Sequence, residues 1–281
     1  MLTEDILGVD LGGSKMHFLV QHHGEMIQER WPTGEHCTSD VIRDRLFAFM
    51  DKLDFRPRAM GMAIPGGTDG ERITVTDSLP MTCYTPASYF TRDGIPIRMV
   101  GDMHAAILAA AAPYPKEENV AVVMMGTGVA CGYRRYDGKG GVSYGGIDLG
   151  YIVFDTPEGP RFLNHLASGP ALLYYSGMTG PELAQAVASG DEKAVALVKK
   201  AGYFTGLALN TVRLTAGAKI IAIGGGASSY DGVFEAIEDA FVKTCLPLYR
   251  DGVKVLKPDA STSLVGQGAI VFAQQTFFGE A

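Results

Sequence analysis

Cysteine is scarce and scattered. Cys37, Cys83, Cys131 and Cys245 stand far apart, with no C-x-x-C pair among them. That excludes a disulfide scaffold and a four-thiolate zinc site, and leaves reduced, mostly buried thiols of the kind a cytoplasmic protein carries. Basic blocks are missing too, and the net charge is −7. Attraction to nucleic acid or to an anionic membrane through the bulk field is therefore not expected. No apolar run approaches the length of a membrane span, and Met1-Leu-Thr-Glu-Asp5 lacks the basic start of a secretion signal. The six histidines show no zinc-ligand spacing, and His22-His23 reads as a surface pair. Ser168, Ser228 and Ser229 lack a G-x-S-x-G setting, which argues against a serine hydrolase.

Glycine is abundant instead. The 36 glycines cluster at the ends of apolar segments, where α/β proteins build ligand loops. A chain of 281 residues is too long for one small core and suits two α/β lobes.

Residues 6–20 are the most informative stretch. An apolar run reaches Asp10, Gly12 and Gly13 follow, and a second apolar run resumes after Lys15. This predicts a β-hairpin with a polar, glycine-rich tip. Bare backbone N–H groups there can approach a phosphate, with Ser14, Lys15 and Asp10 within reach of the same point. An ordinary tight turn would show the same glycines.

The spacing predicts a helix over 39–53 capped by Ser39 or Asp40, a buried strand over 59–64 ended by Pro65-Gly66-Gly67, a strand over 95–100, and a small-residue helix over 105–112. The pattern then restarts. A strand over 119–125 ends in Gly126-Thr127-Gly128, and residues 129–136 form a second arm with Asp137-Gly138 at its tip. Residues 140–170 read as irregular. Helices over 181–188 and 192–215, a strand over 219–223 ending in Gly224-Gly225-Gly226, and helices over 233–246 and 265–277 complete the chain. Strands alternating with helices predict an α/β architecture, and the repeated strand, glycine turn, strand suggests two lobes of related topology.

Three glycine loops after strands (12–13, 126–128, 224–226) could cradle phosphates from two lobes and admit a purine or ribose. They could equally be tight turns and helix caps. Asp102 follows a strand and precedes a helix, whose N-terminus favours a charged carboxylate. It would be exposed there, either to take a proton from a substrate hydroxyl or as a simple N-cap.

In order and spacing these segments resemble the ROK family (repressor, open reading frame, kinase) of sugar kinases, which has the actin-like ATPase fold, ribonuclease H-like, with the nucleotide in the interlobe cleft. The D-[IL]-G-G-[TS]-K loop is similar to Asp10–Lys15, V-P-G to Ile64-Pro65-Gly66, N-D-A-N-A-A to Gly101–Ala106, and G-T-G to Gly126–Gly128. A-S-G-x-A-L is similar to Ala167–Leu172 and I-G-G-G to Ile223–Gly226. The resemblance implies ATP and Mg²⁺, with Asp102 as general base and Asp10 orienting Mg²⁺ through water. It implies Gly12, Gly13, Ser14, Lys15, Gly126, Thr127 and Gly128 at the phosphates, and Gly224, Gly225 and Gly226 beside the adenosine. Gly66, Gly101, Asp148, Tyr151, Asn164 and His165 would face the acceptor. It also implies lobes of residues 1–103 plus 265–281 and 104–264, and a homodimer.

The departures are specific. The family's G-E-[IL]-G-H block stands here as Ile147-Asp148-Leu149-Gly150-Tyr151. Its glutamate before A-S-G is Asn164, and its asparagine before the aspartate is Gly101. Tyr151 replaces the zinc histidine and residues 152–163 hold no cysteine, so no zinc site is expected. Altered partners for sugar hydroxyls shift specificity. The first predicted strand starts a few residues into the chain, which leads us to expect no DNA-binding helix-turn-helix. The reading is an ATP-dependent kinase acting on a hydroxyl of a sugar or sugar derivative. The alternative is a non-catalytic sugar- or nucleotide-binding regulatory protein on the same fold. Polyphosphate as donor is a further option, although the sequence lacks a basic groove for it.

Overall fold

Ile6–Leu11 (β1) is almost wholly apolar because it is covered on both faces. Leu7, Val9 and Leu11 point into one cluster, and Ile6 points into another on the opposite side. The computed structural model describes residues 3–259 and 261–279. Around β1 the chain lays down Lys15–His22 (β2), Glu25–Pro32 (β3), the helix Ser39–Met50 (α1), and Ala59–Ile64 (β4). The short pair Gly67–Thr68 (β5) and Ile73–Val75 (β6) comes next, then Ile97–Gly101 (β7) and the helix Asp102–Ala111 (α2). The sheet order is β3-β2-β1-β4-β7, antiparallel on the β2 side and parallel on the β4 side.

A second five-stranded sheet follows. Its elements are Val120–Met125 (β8), Val129–Tyr136 (β9), Val142–Ile147 (β10), the pair Val153–Thr156 (β11) and Gly159–Phe162 (β12), and Asn164–Ala167 (α3). Gly169–Ser176 (α4), Gly180–Ala188 (α5), Glu192–Ala216 (α6), Ile220–Gly224 (β13), Val233–Thr244 (α7), Pro247–Arg250 (α8) and Lys254–Leu256 (β14) complete it. The order β10-β9-β8-β13-β14 repeats the two antiparallel and two parallel pairings of the first sheet. The duplicated strand, turn, strand pattern in the sequence reflects this.

Leu264–Phe278 (α9) returns to the first sheet. It lies so close that a Cβ on Gly61 would overlap the Ala269 carbonyl. A Cβ on Gly268 would overlap the carbonyl of Ala105 in α2. The chain accordingly divides into Met1–Ala112 with Asp259–Ala281, and Pro113–Pro258. The expected boundaries were 103/104 and 264/265. All of α2 falls in the first unit because α9 holds it there.

Three local expectations are corrected. Residues 140–170 are not irregular: β10, β11, β12 and α3 occupy most of them. The cap of α1 is Thr38, whose side chain accepts from Val41 N–H. Helix α2 begins at Asp102 and not at 105, with Gly101 as its N-cap. No helix among the described residues is long and apolar enough to cross a membrane.

Candidate functional site: two aspartates of the first unit

The alternation of β1 that sends Leu7, Val9 and Leu11 toward α1 turns Gly8 and Asp10 toward α9. Asp10 is half-buried at the end of the strand and meets the first turn of α9. Ser263 Oγ donates to Asp10 Oδ2 at 2.6 Å and accepts from Gly266 N–H at 3.0 Å, capping the helix. Burial pushes the Asp10 carboxyl above its ordinary range, while the Ser263 bond and the charges of Lys15 and Arg30 oppose the shift. His17 stands directly opposite Asp10 on β2, and Arg30 opposite His17 on β3. His17 is 2% exposed, and burial, with Arg30 adding to it, pulls its pKa down to about 4. It is neutral at pH 7, with Nε2 2.9 Å from Gln28 Oε1.

The hairpin tip forms as its glycines predict. Gly12 N–H donates to Lys15 O at 2.9 Å, and Gly13 leaves only the room that Ser78 requires. Thr33, at the end of β3, clamps the loop by donating its hydroxyl to Gly12 O at 2.6 Å and its N–H to Ser14 O at 3.0 Å. Ser14 and Lys15 are exposed.

Asp102 opens α2 but does not cap it. The expectation of an exposed carboxylate kept charged by the helix terminus is corrected. Asp102 is half-buried, and burial pushes its pKa up to about 6. The Met103 N–H, donating at 2.7 Å, opposes the shift, and the negative charge of Asp10 adds to it. Desolvation outweighs the helix dipole here. A carboxyl at that value is ionised at neutral pH yet basic enough to accept a proton. Gly66 and Gly101 lie beside each other, the Gly66 carbonyl 3.5 Å from where a Cβ on Gly101 would sit.

In the second unit, Gly126–Gly128 join β8 to β9. Gly126 N–H donates to Gly128 O, and Gly169 N–H at the start of α4 donates to Gly126 O, both at 2.8 Å. Thr127 is exposed. Gly224–Gly226 end β13. Gly225 takes a φ of +92° pressed flat on the Met125 backbone, a place only glycine can fill, while Gly226 faces open space. Asp148, Tyr151 and His165 are exposed, and Phe162 stands edge-on to both Tyr151 and His165. The Asn164 Oδ1 accepts from Val129 N–H at 2.8 Å.

The sequence pattern of the ROK family matches residues 6–276. The chain belongs to the ROK family. No curated protein matches it in sequence. Among solved structures, the ROK glucokinase from Streptomyces griseus in complex with glucose and AMPPNP superposes with a TM-score of 0.78 at 21% identity, covering 96% of this chain and 99% of that one. The ROK hexokinase from Thermus thermophilus gives 0.67 at 23% identity, covering 96% and 98%. A ROK family transcriptional regulator, a homologue of the E. coli MLC protein, gives 0.71 at 20% identity, covering 95% of this chain and 77% of that one. These likenesses show the two-lobed actin-like fold, which catalytic and regulatory proteins share.

Sequence reading of this ROK protein missed His17 and Ser263 beside Asp10, and Thr33, which clamps the hairpin tip. Ser263 carried a signal as the last of Ser261-Thr262-Ser263 before an apolar helix, but only as a cap. Among the described residues, the group of three metal-ligating types found within 4.8 Å of one another is Glu4, Asp5 and His22, remote in sequence from the positions of the family's zinc motif.

Proposed function

We propose that this ROK protein transfers the γ-phosphoryl group of ATP to a hydroxyl of a sugar or sugar derivative. The observation that carries the reading is Asp102, a half-buried carboxylate raised to about 6 and placed near enough to Asp10 to feel its charge. A pure binder has no need of a base held there. In the reaction, Asp102 accepts the proton of the acceptor hydroxyl as its oxygen bonds to the γ-phosphorus. The bond from that phosphorus to the bridging oxygen breaks, and ADP leaves.

Asp10 supplies the hard oxygen donor that Mg²⁺ prefers, and would hold it through water. The ion supplies neutralisation of phosphate charge. The N–H groups of Gly12, Gly13, Gly126 and Gly128, with Ser14, Lys15 and Thr127, would bind phosphate oxygens. Gly226, open and bare, would line the adenosine with Gly224 and Gly225. Gly66, Gly101, Asp148, Tyr151, Asn164 and His165 would face the acceptor, Asn164 also holding the turn at Val129 through its Oδ1.

The test is release of ADP from MgATP across a panel of hexoses, amino sugars and N-acetyl sugars. Stimulation by at least one acceptor is expected. Binding of a sugar without any stimulated ADP release would favour the regulatory alternative.

A further inference from the structure

A series of polar contacts ties the segment before α9 to the sheet beside Asp10. Gln28, on β3, pairs with His17 through Oε1 and donates from Nε2 to Ser261 O at 3.3 Å. Arg30 reaches the same carbonyl at 3.5 Å. Two residues on, Ser263 donates to Asp10, which stands opposite His17 in the strand register. Gln267 in the second turn of α9 hydrogen-bonds Thr262 between them. The segment leading into α9 is thus tied to the edge of the sheet at Ser261 and delivers a hydroxyl to Asp10 at Ser263. A residue 253 positions away in sequence fixes one carboxylate oxygen.

We propose that Ser263 is the positioning residue for Asp10, holding its carboxylate in the orientation that receives the metal–nucleotide complex. This rests on the phosphoryl-transfer reading. A carboxylate turns about its Cβ–Cγ bond unless an oxygen is held, and a short bond from a hydroxyl to a charged acceptor is among the stronger single restraints a protein has. The same serine caps α9, so loss of binding in an alanine variant could come from a loosened helix. Glycine resolves this. It costs an N-cap only a few tenths of a kcal/mol relative to serine, yet it removes the hydroxyl that Asp10 needs. Threonine keeps both functions.

The experiment is calorimetric binding of ATP, with Mg²⁺ and with EDTA, to wild type, Ser263→Gly and Ser263→Thr, with melting curves for each. We expect Ser263→Gly to melt close to wild type and to bind MgATP roughly tenfold more weakly, the scale of one hydrogen bond to a charged group. Metal-free ATP should bind it as it binds wild type, and Ser263→Thr should restore MgATP affinity. Unchanged MgATP affinity in Ser263→Gly, an equal loss in EDTA, or failure of threonine to rescue would each overturn the proposal while leaving the kinase reading intact. A wild-type protein that binds no ATP in either condition would overturn the nucleotide reading, and this proposal with it.

Discussion

Asn164 holds Val129 by a side-chain bond: its Oδ1 accepts the Val129 N–H at 2.8 Å. The amide sits so close beneath the loop that a Cβ on Gly150 would overlap it. The residue expected to contact a sugar therefore also pins the strand that leaves the Gly126–Gly128 turn. Asn164→Ala leaves a buried N–H without a partner, which costs about 1–3 kcal/mol, read as a lower urea midpoint at unchanged m-value. Asn164→Asp keeps the acceptor and should retain most of that stability. An alanine variant as stable as wild type would show that the bond carries nothing.

Asp102 should cost the fold stability at neutral pH. Its carboxyl rises from the ordinary 3.8 to about 6 on folding, so the folded state favours the neutral acid. Stability falls as pH rises through that window and stays reduced above it. Asp102→Asn, neutral throughout, should be more stable than wild type at pH 8 by on the order of 2 kcal/mol, with the gain vanishing below about pH 4. Urea denaturation at the two pH values reads the difference, and an equal difference at both would refute it.

His17 has the opposite sign. Its pKa drops from 6.5 to about 4 on folding, so its neutral form contributes stability that is complete above pH 6.5 and lost as pH falls toward 4. Asp102 works in the opposite direction over much of the same range, so the variant carries the test: as pH falls from 6.5 to 4, His17→Gln should gain melting temperature relative to wild type. Parallel curves would mean that other groups carry the acid sensitivity.

The first hairpin was legible because continuous apolar runs around two glycines admit few other structures. The repeat at 119–136 was legible for the same reason. Residues 142–162 were not: β10 is almost wholly exposed and reads Val-Ser-Tyr-Gly-Gly-Ile, and β11 and β12 are four residues each. Edge strands with no buried face leave no alternation to find. The start of α2 was misplaced by three residues: the apolar spacing begins at Ala105, whereas the helix begins at Asp102 with Gly101 as its N-cap. Of the site, Asp10, the glycine loops and Asp102 were visible as local motifs. Ser263 and His17 take their meaning from register and from a contact across 253 positions, which no local pattern contains.

Gly101 should accept an asparagine. It caps α2 with φ −63° and ψ 141°, and the nearest atom to a Cβ there is the Gly66 carbonyl at 3.5 Å. Wild type lacks the side-chain amide that ROK kinases carry at this position, and Asp148 is one methylene shorter than their glutamate. Glucose should therefore be a poor acceptor, the missing amide at Gly101 alone costing about 1–3 kcal/mol. Gly101→Asn should fold normally and raise kcat/KM for glucose by about tenfold. Steady-state kinetics with glucose and N-acetylmannosamine check both statements. A fast, sub-millimolar reaction of wild type with glucose would show that other residues make up for these losses.

In the proposed reaction Asp102 takes the proton from the acceptor. The direct measurement is kcat of wild type and Asp102→Asn with the best acceptor of the panel, alongside MgATP affinity by calorimetry. We predict a fall in kcat of at least ~10²-fold, the usual scale for a general base, with MgATP affinity nearly unchanged. Turnover in Asp102→Asn equal to that of wild type would contradict the account.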